Sequence, residues 1–315
     1  MKKVIALTLA ALTLSGCTQE TTLVRLAAHD SFVMSDDLIN QFETETGYEL
    51  EIVRLGDTGS LTNQLILTKN APIADAFFGI DNTFRSVAEG EEIVAGGFTE
   101  IDYSDVCINY DIDWFNNLGL TPPSNWIDLA LPDYASLTVL TNPKLSSPGL
   151  AFLATTFAGF SSEEGTLAYW EQLKAGGVKI AASWEDAYFV DFTRYGGDRP
   201  VVLSYASSPS AEVVDGQPGS AALLDGCFRQ IEYAGVLQNS ASPTGARALV
   251  DFLTSDSFQA SVPEAMYVYP AKPGIDVPED WAKFAQPANS VLGDAESIET
   301  NRESWLGVWT GIFDD

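Results

Sequence analysis

Apolar and polar positions alternate between two periods along this chain, and the alternation sets the reading. Thr22 to Ala28 is a short apolar run with the look of a strand. Ser35 to Thr46 carries Leu38, Ile39 and Phe42 at helical spacing, and Gly47 follows as a C-terminal stop. Tyr48 to Leu55 alternates again as a strand, Ser60 to Leu67 places Leu61, Leu65 and Ile66 on one side of a helix, and Ala74 to Phe78 is a third strand. Strand-helix-strand-helix-strand predicts an α/β domain with a mostly parallel sheet.

The middle of the chain repeats the rhythm. Strands are expected at Leu137–Leu140, Val178–Ala181, Val201–Tyr205 and, at greater length, Phe228–Val236. Helices are expected at Leu150–Ala158, Thr166–Lys174 and Trp184–Tyr195, with another beginning over Ser210–Val214. Ala246–Leu253, Ser257–Ala260 and a final stretch, Ser297–Ile312, are also helical. No Pro- or Gly-rich linker divides the chain, and no internal repeat or low-complexity tract interrupts it. Two α/β lobes without a linker predict lobes that exchange segments and are joined by crossing strands.

Before the first strand the pattern is different. Lys2 and Lys3 precede an uncharged apolar run, Val4 to Leu14, which ends in Leu14-Ser15-Gly16-Cys17. That layout is a secretion signal, and its ending resembles the lipobox of bacterial lipoproteins. The resemblance implies cleavage before Cys17, lipid attachment at Cys17, a signal over 1–16 and a tether over 17–21. An ordinary cleaved signal is the alternative. At about eleven residues the run is too short for the ~30 Å of a hydrocarbon core.

Composition narrows the function. Hydrophobic residues make up 46% of 315, enough to build a substantial core. The net charge is -28, and without Lys2 and Lys3 it is -30, from 14 basic against 44 acidic residues. Such a field repels nucleic acid and anionic headgroups and favours cations, although a solvated acidic surface gives the same number. Cys107 and Cys227 remain after Cys17; an even pair in an oxidising compartment reads as a disulfide, with two buried thiols as the alternative. Both lie near the expected crossovers, so the bridge would fasten the hinge strands.

Catalytic chemistry has little support. His29 is the single histidine, no His/Cys set suits zinc, and neither Gly-x-Gly-x-x-Gly nor the phosphate-loop pattern is present. The loops at the strand ends are instead polar and aromatic: Ala28-His29-Asp30-Ser31-Phe32, Gly56-Asp57-Thr58-Gly59-Ser60, Gly79-Ile80-Asp81-Asn82, Ser146-Ser147-Pro148-Gly149, Ser183-Trp184-Glu185-Asp186, Tyr205-Ala206-Ser207-Ser208-Pro209 and Tyr267-Val268-Tyr269-Pro270. Ligands of open parallel sheets bind beyond the carboxyl ends of the strands. Aromatic faces there attract a cation and stack on a flat ring. Asp57 and Asp81 are open to a second reading, as turn or cap residues.

Here the chain resembles a family. Asp30-Ser31-Phe32, Gly59-Ser60-Leu61, Ala74-Asp75 with Gly79-Ile80-Asp81-Asn82, Asn142-Pro143 with Ser147-Pro148-Gly149-Leu150, Trp184-Glu185-Asp186-Ala187-Tyr188, Leu203 to Pro209, and Phe258-Gln259 with Tyr269-Pro270 follow the order of the thiamine-binding subunits of bacterial ABC importers. The resemblance implies a two-lobed type II periplasmic-binding-protein fold. Each lobe would be a mixed, mostly parallel sheet flanked by helices, and hinge strands would join them. Residues 22–105 with 237–315 would form one lobe and 106–236 the other.

The function so implied is a monomeric, non-enzymatic receptor on the outer face of the cell membrane. It would need no cofactor or metal, and it would deliver thiamine to a membrane permease. Asp30, Trp184, Tyr205, Tyr267, Ser147 and Gly149 match the family's binding loops, and His29, Ser31, Asp57, Ser60, Asp81, Tyr188 and Ser207 complete the candidate set. Two departures stand out: His29 replaces a Tyr of other members, and Ala211 replaces a second aromatic. A polyamine or ferric iron bound through Tyr205 and Tyr267 is the alternative on the same fold. A surface hydrolase using His29 is the alternative from another class.

Overall fold

A computed structural model describes residues 22–313. The expected signal and the lipid-attachment residue Cys17 lie outside the described residues. Eleven strands follow one another as β1 (Leu23–Ala28), β2 (Glu49–Arg54), β3 (Ala76–Asp81), β4 (Val94–Asp111), β5 (Thr138–Thr141), β6 (Lys179–Ala181), β7 (Val201–Tyr205), β8 (Val213–Val214), β9 (Gln217–Pro218), β10 (Ser220–Leu237) and β11 (Tyr269–Pro270). The main sheet runs β2-β1-β3-β10-β4-β7-β5-β6, with β11 added beside β4. Strands β1, β2 and β3 pair in parallel at one end, and β5 pairs in parallel with β6 and β7 at the other.

The halves are joined by β4 and β10. Each is 18 residues long, and they lie antiparallel for most of that length. The C-terminal part of β10 pairs with β3, while the C-terminal part of β4 pairs with β7. The two long strands therefore belong to both lobes, which is the crossing expected from the absence of a linker. Separate apolar layers form on this frame. Leu26, Phe32, Phe42, Phe78, Leu249 and Phe258 pack together in the first lobe. Leu140, Leu150, Phe152, Tyr169, Trp170 and Leu203 pack in a larger core that extends through the second.

Local signals account for most helices. Ser35 accepts a hydrogen bond from the Leu38 amide and opens the helix Asp36–Thr46, which Gly47 closes at φ 75°. Asp57 caps Thr58–Leu67, and Pro148 opens the first turn of Ser147–Gly159. Two expectations need correction. Trp184–Tyr195 is not one helix: a wide π turn occupies Asp186–Asp191, Phe192 is extended, and Thr193–Tyr195 is a 3-10 turn. The wide turn wraps Tyr188 and Phe189 around the Trp184 indole, and that ring packing replaces a regular helix. Ser210–Val214 does not begin a helix either. A 3-10 turn over Ser208–Glu212 leads into the small hairpin of β8 and β9, and Gly216 turns at φ 74°.

The C-terminal helix, Ala295–Phe313, departs from the expected assignment of 237–315 to the first lobe. Trp305 stacks on Phe157 at 4.7 Å, and Phe313 meets the edge of Trp170, so its apolar side is seated on the second lobe. Its Arg302 reaches the other way. The guanidinium donates to the Thr83 carbonyl at 2.7 Å and lies 4.0 Å from the Phe84 ring centre, beyond the end of β3.

Cys107 of β4 and Cys227 of β10 are disulfide-bonded, with Cα atoms 4.7 Å apart. The register slips between Leu223 and Phe228, so Cys227 ends a bulge opposite Cys107. The bulge is held on its far side as well: the Cys227 amide donates to the Ser290 carbonyl, and the Leu292 amide donates to the Cys227 carbonyl. The staple thus ties the crossing strands at the place where their ladder is interrupted. Replacing both cysteines by serine is expected to lower unfolding stability by about 2–5 kcal/mol, the range for closing a long loop. Urea unfolding of the oxidised protein and the double variant checks this.

Candidate functional site

A narrow crevice lies between the lobes, lined by His29, Ser31, Asp57, Thr58, Ser147, Trp184, Tyr205, Glu232, Met266 and Val268. His29, Asp57 and Thr58 come from strand-end loops of the first lobe, and Ser147, Trp184 and Tyr205 come from the second. Only about 20 Å³ of cavity is open inside the crevice. The lobes are therefore drawn together. Direct bonds cross the gap: the Trp184 amide donates to Asp57 Oδ2 at 2.9 Å, and the Gly59 amide donates to the Leu145 carbonyl at 2.9 Å. Gly59 is required for that approach, since a Cβ there would come within 2.7 Å of the Leu145 oxygen.

Aromatic rings build one wall. The Trp184 indole is 5% exposed, stacks on Tyr188 at 4.9 Å and tilts against Tyr205 at 5.7 Å. Its Nε1 donates to Ser204 Oγ at 3.0 Å, and Tyr188 donates its hydroxyl to Glu212 behind it. Every polar atom that orients the indole thus has a partner, and the ring is fixed before any ligand arrives. Burial, reinforced by Glu232, Asp57 and Asp81, holds the Tyr205 phenol well above its ordinary pKa.

Carboxyl groups build the other wall. His29 sits over the backbone of Gly79, where φ is 93° and an added Cβ would collide with the imidazole. Its Nε2 is 3.1 Å from Glu232 Oε1, an ion-pair distance without hydrogen-bond alignment. Burial alone would lower the His29 pKa, but Glu232, with Asp57 and Asp81, outweighs it and raises the imidazole above its usual value. Burial also works against ionised Glu232, yet His29 prevails and holds that carboxyl below the usual range. Burial lifts Asp57 against the amides that bond it, and lifts Asp81 to about 7. Asp102, wholly buried behind Glu232, is raised well above the ordinary carboxyl value by burial and then by Glu232 and Asp81.

The other candidates fall in three places. Asp81 borders the crevice from behind; its Oδ1 accepts from the Thr83 amide and hydroxyl and the Phe84 amide, so its capping role is real, and the Ser147 hydroxyl lies against its carboxyl. Asp30, Ser60, Gly149, Tyr188 and Ser207 support the loops without lining the crevice. Asp30 is exposed and accepts from the Gly56 amide, Ser207 bridges Ser104 and the Tyr267 carbonyl, and Gly149 packs where a Cβ would meet the Thr141 oxygen at 2.4 Å. Tyr267 is not brought to the crevice. It ends the helix Asp256–Met266 at φ 61° and lines a separate depression with Ser210, Ala211 and Glu264, while its neighbours Met266 and Val268 reach the crevice.

Glu232, Asp102, Thr58, Met266 and Val268 were not among the expected residues. Glu232 carried a signal, as a lone carboxylate inside the apolar run Phe228–Val236. Among the described residues no group of three or more His, Cys, Asp or Glu side chains could hold a metal ion. A larger open depression lined by Lys69, Arg85, Glu89 and Glu91 lies elsewhere, and its charges neutralise one another through Lys69–Glu91 and Arg85–Glu89 pairs, both at 2.7 Å.

Comparison with known proteins agrees with this architecture. The chain is 26% identical to a thiamine-binding periplasmic protein of Brucella suis over 94% of its own length and 93% of the relative's. It is 25% identical to a thiamine-binding periplasmic protein of Escherichia coli, covering 85% of each. Among solved structures, a periplasmic thiamin binding protein superposes with a TM-score of 0.80 at 22% identity, over 92% of this chain and 96% of that one. An iron-bound HitA from Pseudomonas aeruginosa superposes with a TM-score of 0.70 at 16% identity, over 92% and 99%. Likeness at that identity shows the fold. Residues 79–300 match the model of the bacterial extracellular solute-binding proteins, and the chain belongs to that family.

Proposed function

We propose that this protein is the receptor of an ABC importer and captures thiamine in the interlobe crevice. The observation that carries the reading is the pairing of a fixed aromatic wall, Trp184 and Tyr205, with a carboxyl-lined wall formed by Asp57 and Glu232. No Lys or Arg lines the crevice. Thiamine's quaternary thiazolium is a flat cation that gains from π faces and from negative charge. Its aminopyrimidine needs hydrogen-bond partners, and Ser31, Thr58 and the Ser147 hydroxyl line the space. The names of the relatives support the same ligand.

A thiamine molecule does not fit the space now open, so capture requires the lobes to part and close again. The lobes in this proposal are 22–105 with most of 237–294, and 106–236 with the C-terminal helix seated on it. Bending at β4 and β10 would break the Asp57–Trp184 and Gly59–Leu145 bonds, and the bound cation would replace them. Cys17 would hold the receptor to the outer face of the membrane through lipid, and the closed form would dock on the permease as a monomer. The reading leaves the chain a binding protein with no reaction to catalyse.

Ferric iron is disfavoured by the same geometry. Tyr205 and Tyr267 occupy different depressions, and burial raises both phenols, which opposes the tyrosinate that iron needs. A spermidine chain uses the charge and the ring faces as well, so titration has to separate it from thiamine.

Calorimetric titration with thiamine, spermidine and Fe(III) should give tight binding for thiamine alone, and no tyrosinate absorption band with iron. Tight binding of spermidine or iron in its place would replace the ligand assignment. Trp184→Ala and Tyr205→Ala should each weaken thiamine binding by about 1–3 kcal/mol, as lost ring contacts do. Unchanged affinity in both variants would remove the crevice from consideration.

A further inference from the structure

Glu232 of β10 lies directly opposite Asp81 of β3 on one side and Asp102 of β4 on the other. Directly opposed residues project from the same face of a sheet, with Cβ atoms about 5 Å apart. Three carboxyl groups therefore form a row across three adjacent strands, at the point where the crossing strands leave the first lobe. Asp81 and Asp102 are wholly buried, and Glu232 is 7% exposed and lines the crevice. Asp102 shares a hydrogen bond with the Glu232 carboxyl, and the buried Ser147 hydroxyl lies against Asp81 in the same space.

The surroundings of the row supply little positive charge. From the β1 end His29 pairs with Glu232. From the first turn of the helix Thr58–Leu67 Asp57 adds a fourth carboxyl. From β7 comes the neutral Tyr205 phenol, from β10 Gln230, and from the turn after β3 the Thr83 hydroxyl on Asp81. From the C-terminal helix Arg302 feels Asp81, but its guanidinium is bonded to the Thr83 carbonyl rather than to a carboxylate. One imidazolium and one guanidinium bonded elsewhere do not neutralise three buried carboxylates and the half-buried Asp57 beside them. Like charges at this spacing titrate as a coupled group that retains protons.

We propose that the row Asp81–Glu232–Asp102 stores a proton while the crevice is empty and releases it when a cation enters, so that ligand capture is a proton-for-cation exchange. The inference rests on the thiamine reading and goes further by making binding pH-linked. The balance is simple: a protonated carboxyl and a free cation become a carboxylate beside a bound cation, and the proton passes to the buffer. A quaternary nitrogen carries no proton of its own, so the released proton comes from the protein. Burial lifts Asp81 to about 7 and raises Asp102 well above the ordinary carboxyl value, and Asp81 places the stored proton in the working pH range. Protonated acids weaken cation binding and ionised acids strengthen it, so affinity rises as pH climbs through about 7. Loss of the His29 charge acts in the same direction.

Calorimetry of the full chain with thiamine at pH 7.5, in buffers of different ionisation enthalpy, reads the exchange directly. About 0.5–1 proton should be released per thiamine bound. Affinity should fall roughly three- to tenfold per pH unit below 7. Asp102→Asn and Asp81→Asn, each checked by thermal melting, should reduce the released number. Binding with no proton exchanged, or with net uptake, overturns the exchange and leaves the thiamine reading standing. Unreduced release in both folded variants overturns the assignment to the row. No binding of thiamine overturns both.

Discussion

Negative charge held out of water is the constraint on which the molecule is arranged. Glu232, Asp57 and Asp81 act on the His29 imidazole at a crevice nearly closed to solvent, and Asp102 lies buried against Glu232. Burying carboxylates is costly, and under the proposed function that cost is offset when a cation enters. The strands that carry Asp102 and Glu232 are the ones that cross between lobes. The buried acids, the crossing strands and the crevice are thus a single piece of structure rather than three neighbouring ones.

The remaining features keep that piece in position. The Cys107–Cys227 bridge fastens β4 to β10 one short stretch away from the acid row, at the bulge where the ladder alone would be weak. Gly79 makes room for His29, and His29 in turn holds Glu232 ionised. On the opposite wall Ser204 and the π turn fix Trp184, so its face is presented without a rotamer search. Arg302 links the end of β3 to a helix anchored on the second lobe. The whole frame therefore couples a change in lobe spacing to a change in the surroundings of the acids.

Much of this was legible in the residues. Ser35 and Gly47 bracket a helix by local chemistry alone, and the β1 to β3 rhythm needed only periodicity. Trp184 and Tyr205 follow strand ends, where an open sheet exposes its ligands. What stayed hidden depended on register. Asp102 and Glu232 are 130 residues apart in sequence and become neighbours only because β4 and β10 pair across the hinge. In β4, Gly96-Gly97 and the mixture of Glu100, Asp102, Ser104 and Asp105 mask any apolar alternation, because the strand passes from an exposed edge to a buried crossing. Tyr267 was expected from the family resemblance, but a left-handed turn there ends a helix and its ring lines a separate depression.

The central claim is that rings of the second lobe, Asp57 of the first and Glu232 of the crossing strand β10 enclose a flat cation. A crystal structure of the protein with thiamine tests it most directly. Density for the thiazolium is expected between Trp184 and Tyr205 on one side and Asp57 and Glu232 on the other. Thiamine seated elsewhere, or a crevice that stays empty in crystals grown at saturating thiamine, would contradict it.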